Sequence, residues 1–541
     1  MTSTDAYAGE TRLRHQARRL LDAGQWDAAE ATFEELVQRA PHDVPLRMEL
    51  ADLMLRRDRM RAATSQLVRA ASMLPNDVPL ISELAWRLSM TGETLAMRAC
   101  AEHLEHAPAP PGWVRAEQAH LRWMLGDIPE ARARMDLAVA AGIDTQSEYY
   151  LNAMLLQFTG RLAEAEVVLL ETLRRWPDYG DAAVILANLR RQTAATNHLA
   201  FLQERLGKFP KDRTDMRSGL ARAKFESAIF KILDDLGHHE EAWQALERSN
   251  VLMHSLLPYD AAGEAAVTDA LIEVSATVMN GKAGSATFEG PMPIFIVGMP
   301  RSGSTLLDHM LSAHSAVTSA GEISDFQRQL HWIADIAPRG NQSLLKILER
   351  VGQLDFDELG ARYLMQTQWR AQGRKYFIDK LPINIRMVPF IRRALPRAPI
   401  LHLARDPMDV CYSNLKIMFG SASPYCYDMQ SLGHYYGQYA RLTNHWREAL
   451  PGAMLDIEYA SLVRDPETTM RQVLGHCGLE TEEACLRPEL NSAPVATPSS
   501  AQVRESIHTR GIAQWRHYEK QLEPLQQALA AEAELVSITT L

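Results

Sequence analysis

Through the first half of the chain apolar positions recur with helical spacing, and glycine interrupts that pattern at a constant interval. Gly24, Gly92, Gly126 and Gly160 stand on a ladder of 34 residues whose vacant rung is Asp58, and Ala29, Ala63, Ala131 and Ala165 follow five residues further on. The hexapeptide Pro41-His-Asp-Val-Pro-Leu46 returns 34 residues later as Pro75-Asn-Asp-Val-Pro-Leu80. Glycine supplies a turn between two helices, the small alanine lets their backbones approach, and proline stops the second helix. The pattern therefore predicts a series of helical hairpins. Between about Ala276 and Pro293 the periodicity lapses into Gly-rich and small polar text, which predicts a domain junction. A buried strand, Ile294-Phe-Ile-Val297, comes next, followed by a glycine loop and an amphipathic helix carrying Leu306, Leu307, Met310, Leu311 and His314.

The hairpin ladder resembles the tetratricopeptide repeat over roughly residues 10 to 200, with a degenerate unit at Leu236-Gly-His-His-Glu-Glu-Ala-Trp243. The expected fold is an all-α repeat superhelix followed by an α/β, P-loop-like domain with a central parallel sheet. The expected spans are a repeat domain over 10–275, a linker over 276–292 and a second domain over 293–541. Such hairpins cannot bury their apolar faces alone, and stacking leaves a concave side that commonly holds a protein or peptide. A spacer or dimerisation role is the plainer alternative. Adjacent His238, His239 and Glu240 point in different directions on a helix, so no metal site is expected there.

Composition narrows the class without changing this outline. A chain of 541 residues exceeds one cooperative core, and 46% hydrophobic with 23% charged residues excludes wholesale disorder. The formal charge of −10 disfavours nucleic-acid binding in general. Five cysteines without CxxC spacing suit a reducing compartment. The first residues lack an apolar signal core and no stretch is apolar enough to span a bilayer, so the expectation is a cytoplasmic protein.

The loop Gly298-Met-Pro-Arg-Ser-Gly-Ser-Thr305 carries the chemistry. Successive backbone N–H groups and the positive end of the following helix predict an anion site for a phosphate or sulfate. The spacing is that of the Walker A pattern, but Ser304 stands where its lysine belongs. A nucleoside triphosphatase needs that lysine and Mg²⁺, whereas a phosphosulfate carries less charge, and Arg301 can supply the cation. Pro300-Arg-Ser-Gly-Ser-Thr-Leu306 resembles the 5′-phosphosulfate loop of sulfotransferases that use 3′-phosphoadenosine 5′-phosphosulfate (PAPS). Downstream, Ile400-Leu-His-Leu-Ala-Arg-Asp-Pro-Met-Asp-Val-Cys-Tyr-Ser413 resembles their 3′-phosphate segment. The resemblance covers about 291–518 and is strongest to the tyrosylprotein type and to bacterial relatives with N-terminal repeats.

The resemblance implies roles residue by residue. Arg301 and the amides of Ser302, Gly303, Ser304 and Thr305 would grip the phosphosulfate, Arg405 and Ser413 the 3′-phosphate, and Lys416 would add charge. Glu322 would be the general base, although the family has two glutamates there and this chain has Gly321 before one. His309 and His314 are the runners-up, expected to have one solvated and one packed ring. Lys380, at the tip of Tyr376-Phe-Ile-Asp-Lys-Leu-Pro382, resembles the catalytic lysine, with Asn384 a helix cap. Tyr459 with Ser461-Leu462 resembles the adenine contact, Ala460 replacing its glutamate. Ser499 or Ser500, Arg504 and Arg510 would fold back over the nucleotide. The aromatic stretch from Tyr425-Cys-Tyr427 to Tyr435-Tyr436 would either line the acceptor cleft or pack a helix. The implied activity is sulfuryl transfer from PAPS, without a metal, to an acceptor hydroxyl on a protein tyrosine, a carbohydrate or a small phenol. A P-loop kinase-like enzyme, or a repeat scaffold with an inactive second half, is the alternative.

Overall fold

A computed structural model describes residues 3–106, 110–209, 215–280, 289–491, 493–497 and 504–539. Among the described residues up to Asn280 the regular elements are all helices, from Ser3–Asp22 to Ala261–Asn280, and a sheet domain follows. The glycine ladder has a direct backbone cause. Gly92, Gly126 and Gly160 take φ of 77–78° and Gly24 takes 69°, the left-handed region in which a side chain is strained. Asp58 on the vacant rung adopts the same conformation at φ 55°. The alanines five residues on, Ala29, Ala63, Ala131 and Ala165, are fully buried. The duplicated hexapeptide is a helix start as well as an exit: Asp43 and Asp77 cap the helices Val44–Arg56 and Val78–Thr91, accepting from the N–H of Leu46 and Leu80 at 2.9 and 3.1 Å.

The chain divides into two compact units that do not follow chain order. One contains Met1–Ala141 together with Ser324–Thr367. In it, the helix Asp325–Ala334 lies against Met60–Ala71 and Val78–Thr91, and Phe356–Thr367 against Thr94–Glu105. Thr94 Oγ1 donates to Asp325 at 2.7 Å, Gln329 to the carbonyl of Gly92 at 2.8 Å, and Arg362 to Glu93 at 2.6 Å. Lys346 reaches the Asp58 carboxylate at 2.8 Å.

The other unit contains Gly142–Ala283, Glu289–Ile323 and Gln368–Leu541. Its strands are β1 (Met292–Gly298), β2 (Val317–Ser319), β3 (Tyr376–Asp379), β4 (Ile400–Ala404) and β5 (Leu455–Glu458). Among the described residues they form a parallel sheet of order β2-β3-β1-β4-β5, with Phe295 opposite Asp379 on one side and Gly298 opposite Leu403 on the other. Side chains alternate across it. Ile294, Ile296, Ile378, Leu401, Leu403 and Ile457 share a core with Leu307, Leu311 and Val473. On the opposite face His402 meets Tyr439 at 2.7 Å, on the helix Met429–Ala449. Repeat helices belong to this unit too: Phe225, Ile229 and Leu246 share a core with Val410, Tyr412 and Leu522.

Candidate functional site

The site follows from the sheet order. Parallel strands end on one edge, and at β1 the connections pass to opposite sides, which opens a crevice beyond the strands' C-terminal ends. Lys380, Arg405 and Tyr459 are each the first residue past β3, β4 and β5, and Glu322 lies three residues past β2. All belong to the second compact unit.

The loop after β1 turns sharply. Arg301 takes φ 67°, and Gly303 takes φ 107° at the entry to the helix Ser304–Leu311. A Cβ on Gly303 would meet the Tyr459 ring at 2.4 Å, and one on Gly298 the carbonyl of Leu403 at 2.7 Å. Both glycines are therefore required by close approach. Ser302, Ser304 and Thr305 are buried. Among the described residues the buried Ser302 hydroxyl has no hydrogen-bond partner.

Cations gather beside this loop. Arg301 Nε lies 3.4 Å from Ser413 Oγ, and Arg405 donates to the carbonyl of Arg301 at 2.9 Å and to that of Gly511. The Arg405 guanidinium lies over the Tyr459 ring at 4.5 Å, and its buried Nε has no partner among the described residues. Lys416 caps the helix Pro407–Leu415, donates to Gln514 at 2.9 Å and lies over Tyr412. Burial pushes Arg301 down to about 10, with Arg405 adding to the effect. Burial also pushes Lys416 down to about 8, opposed by Asp234 and reinforced by Arg301, Lys231 and Arg405.

Past the end of β3, Lys380 is fully buried and pairs with Glu322, whose side chain is 43% exposed. The Lys380 N–H donates to the carbonyl of Gly321 at 2.9 Å. Asp308 lies on the loop helix within electrostatic reach of both, pushed up to about 6 chiefly by burial, against the pull of Lys380 and of a hydrogen bond from Ser319.

The structure thus brings Arg301, Ser302, Arg405, Ser413 and Tyr459 together, and pairs Glu322 with Lys380, the Glu322 carboxylate lying within electrostatic reach of Arg301. Arg504 donates to the carbonyls of Phe158 and Ala493 at 2.9 and 3.2 Å, and Arg510 pairs with Glu505. Ser499 and Ser500 lie outside the described residues. His309 and His314 are both buried, not one solvated and one packed: His314 accepts from the N–H of Ala316, and Asn491 covers the carbonyl of His309. Burial and Arg504 push His309 down to about 4. Asn384 donates to Asp379 at 3.3 Å. Tyr425 stacks on Tyr435 at 3.6 Å, both buried, so these rings pack the helix Met429–Ala449. Sequence reasoning missed Asp308, although a carboxylate on so apolar a helix was a signal. It also missed Gln514, which has none.

Residues 293–483 match the model of the sulfotransferase family, and residues 20–86 that of the tetratricopeptide repeat. Over 537 residues the chain is 25% identical to an uncharacterized protein of Aquifex aeolicus, covering 94% of this chain and 68% of that one. It is 25% identical over 281 residues to the protein-tyrosine sulfotransferase of Drosophila melanogaster, covering 48% and 54%. A solved sulfotransferase domain from the curacin biosynthetic pathway is 19% identical and aligns with a TM-score of 0.31, covering 46% of this chain and 99% of that domain. The stretch that matches the sulfotransferase family thus follows the stretch that matches the tetratricopeptide repeat. No helix among the described residues is long and apolar enough to cross a membrane.

Proposed function

We propose that the sheet domain transfers a sulfuryl group from PAPS to an acceptor hydroxyl, with a protein tyrosine the first acceptor to test. The observation that carries this reading is the gathering of Arg301, Arg405 and Lys416 around an amide-lined loop that lacks the Walker lysine. Buried like charges repel, and an anion relieves them. The Ser302 hydroxyl and Arg405 Nε, without partners among the described residues, supply donors for it. Arg405 and Ser413 would hold the 3′-phosphate, with Lys416 adding charge, and the loop amides and Arg301 the 5′-phosphosulfate.

Glu322 is exposed enough to meet an acceptor, and Lys380 beside it is not. Glu322 takes the hydroxyl proton as the acceptor oxygen bonds to sulfur. The bond from sulfur to the bridging oxygen breaks, and 3′-phosphoadenosine 5′-phosphate leaves. Lys380 and Arg301 offset the charge that appears on that oxygen, a role typically worth about 3 kcal/mol per group. The names of the Drosophila relative and of similar vertebrate proteins favour tyrosine, and the repeats suit a protein or peptide partner.

The test is transfer of radiolabelled sulfate from PAPS to tyrosine peptides, 2-naphthol and a lysate. The expected result is labelling that Glu322→Ala abolishes while nucleotide binding persists. Labelling retained in that variant removes Glu322 as base. A thermal shift produced by ATP with Mg²⁺ but not by PAPS replaces the reading with a kinase-like one, and a shift by neither favours a scaffold.

A further inference from the structure

Asp308 is the one buried carboxylate of the loop helix, and the roles assigned above leave it unused. Its Oδ2 accepts from Ser319 Oγ at 3.0 Å, whereas its buried Oδ1 has no hydrogen-bond partner among the described residues. Ser319 Oγ in turn accepts from the N–H of Gly321 at 3.1 Å, and the carbonyl of Gly321 accepts from the N–H of Lys380 at 2.9 Å. Gly321 takes φ 74°, so the turn leaving β2 is held through both backbone groups of one residue in a conformation that an ordinary residue resists. Glu322 is the next residue.

We propose that Asp308 is a positioning residue: through Ser319 and Gly321 it fixes the turn that aims Glu322, and its carboxylate supplies Lys380 with a second countercharge when Glu322 turns to the acceptor. This rests on the sulfotransferase reading of Glu322 and Lys380. In the structure Lys380 donates to Glu322. Transfer requires that pair to part, because Glu322 must receive a proton and Lys380 must face the bridging oxygen. A buried ammonium deprived of its partner is costly, and a neighbouring buried carboxylate offsets that cost. The reason to keep a carboxylate there is therefore functional, since burial alone works against it.

The sign of the stability effect separates this role from a packing role. The folded protein holds Asp308 at about 6, above the ordinary 3.8. Its ionisation therefore costs stability as pH rises from the ordinary value through the folded one, and the full cost is present at pH 7. Asp308→Asn keeps the shape and can still accept from Ser319, so the expected melting temperature at pH 7 is at or above wild type. The expected kcat falls on the order of tenfold to a hundredfold, as a displaced reacting group loses rate. Ser319→Ala, which removes both hydrogen bonds of that hydroxyl, to Asp308 and from Gly321, should lower kcat by about fivefold to tenfold. In both variants the KM for PAPS and the calorimetric affinity for 3′-phosphoadenosine 5′-phosphate should stay at wild-type values.

The assay is full-length protein with radiolabelled PAPS, read as transfer to a tyrosine peptide and, without acceptor, as sulfate release to water. A lower kcat with unchanged nucleotide affinity and undiminished melting temperature supports the inference. Unchanged kcat in both variants overturns it, as does a kcat loss that merely tracks a lower melting temperature. If Asp308→Asn fails to fold, Asp308 is structural and the inference is wrong for its charge, and Ser319→Ala then decides the turn. A wild type that binds no nucleotide, or binds it and releases no sulfate to peptide or water, overturns the sulfotransferase reading itself.

Discussion

Past β3 the buried Lys380 is paired with an opposite charge, Glu322, whereas past β4 Arg405 is gathered with Arg301 and Lys416, charges of its own sign. An ion pair offsets the desolvation of both partners and presents little net field. A cluster of cations in a half-dry crevice does the reverse: each weakens the next, and an arriving anion strengthens all of them. On the proposed reading, one neighbourhood would part and move a proton, and the other would hold the phosphates of the nucleotide. The carboxylates Asp406 and Asp409 at the start of the helix Pro407–Leu415 temper the cluster without erasing it, since Arg405 is still pushed down by burial.

That contrast breaks first at Lys380. Lys380→Met should lower kcat by about a hundredfold to a thousandfold, with nucleotide affinity close to wild type. Steady-state kinetics beside calorimetry checks this, and a comparable loss of affinity would merge the two neighbourhoods into one. Arg405→Ala should do the opposite. Nucleotide affinity should fall about tenfold to a hundredfold, the weight of a charge-assisted hydrogen bond, while kcat at saturating PAPS is largely kept.

The smallest effect sharpens the comparison through pH. Lys416 loses its proton near 8, so raising pH from 7 to 9 removes one cation from the cluster. Nucleotide affinity should therefore weaken across that window by less than about tenfold per pH unit, and binding near pH 8 should take up protons. Lys416→Met should flatten both trends. Calorimetry in buffers of different ionisation heat reads the proton uptake directly.

Much of this was legible in the sequence because it depends on local rules. The 34-residue ladder reports a backbone conformation, and the vacant rung Asp58 follows the same rule with its carboxylate bound by Lys346. The loop Gly298–Thr305 reports two close approaches, to Leu403 and to Tyr459, that exclude any side chain. What was not legible depends on contacts distant in the chain. Nothing in the text of Ser324–Thr367 says that it packs with Met1–Ala141 while the strands on either side of it belong to the other unit. The surroundings of Asp308 and Lys416 are groups 11 to 185 residues away, such as Ser319 and Lys231, and spacing carries no trace of burial. The mispredicted exposure of His309 has the same origin, because the turn that covers it comes from Asn491.

The most direct test of the cation cluster is calorimetric titration of the full-length protein with three ligands: 3′-phosphoadenosine 5′-phosphate, adenosine 5′-phosphate, and ATP with Mg²⁺. The account predicts tight binding of the first, at least tenfold weaker binding of the second for want of a 3′-phosphate on Arg405, and weak binding of the third. Equal affinity for the first two, or preference for the magnesium triphosphate, would contradict it.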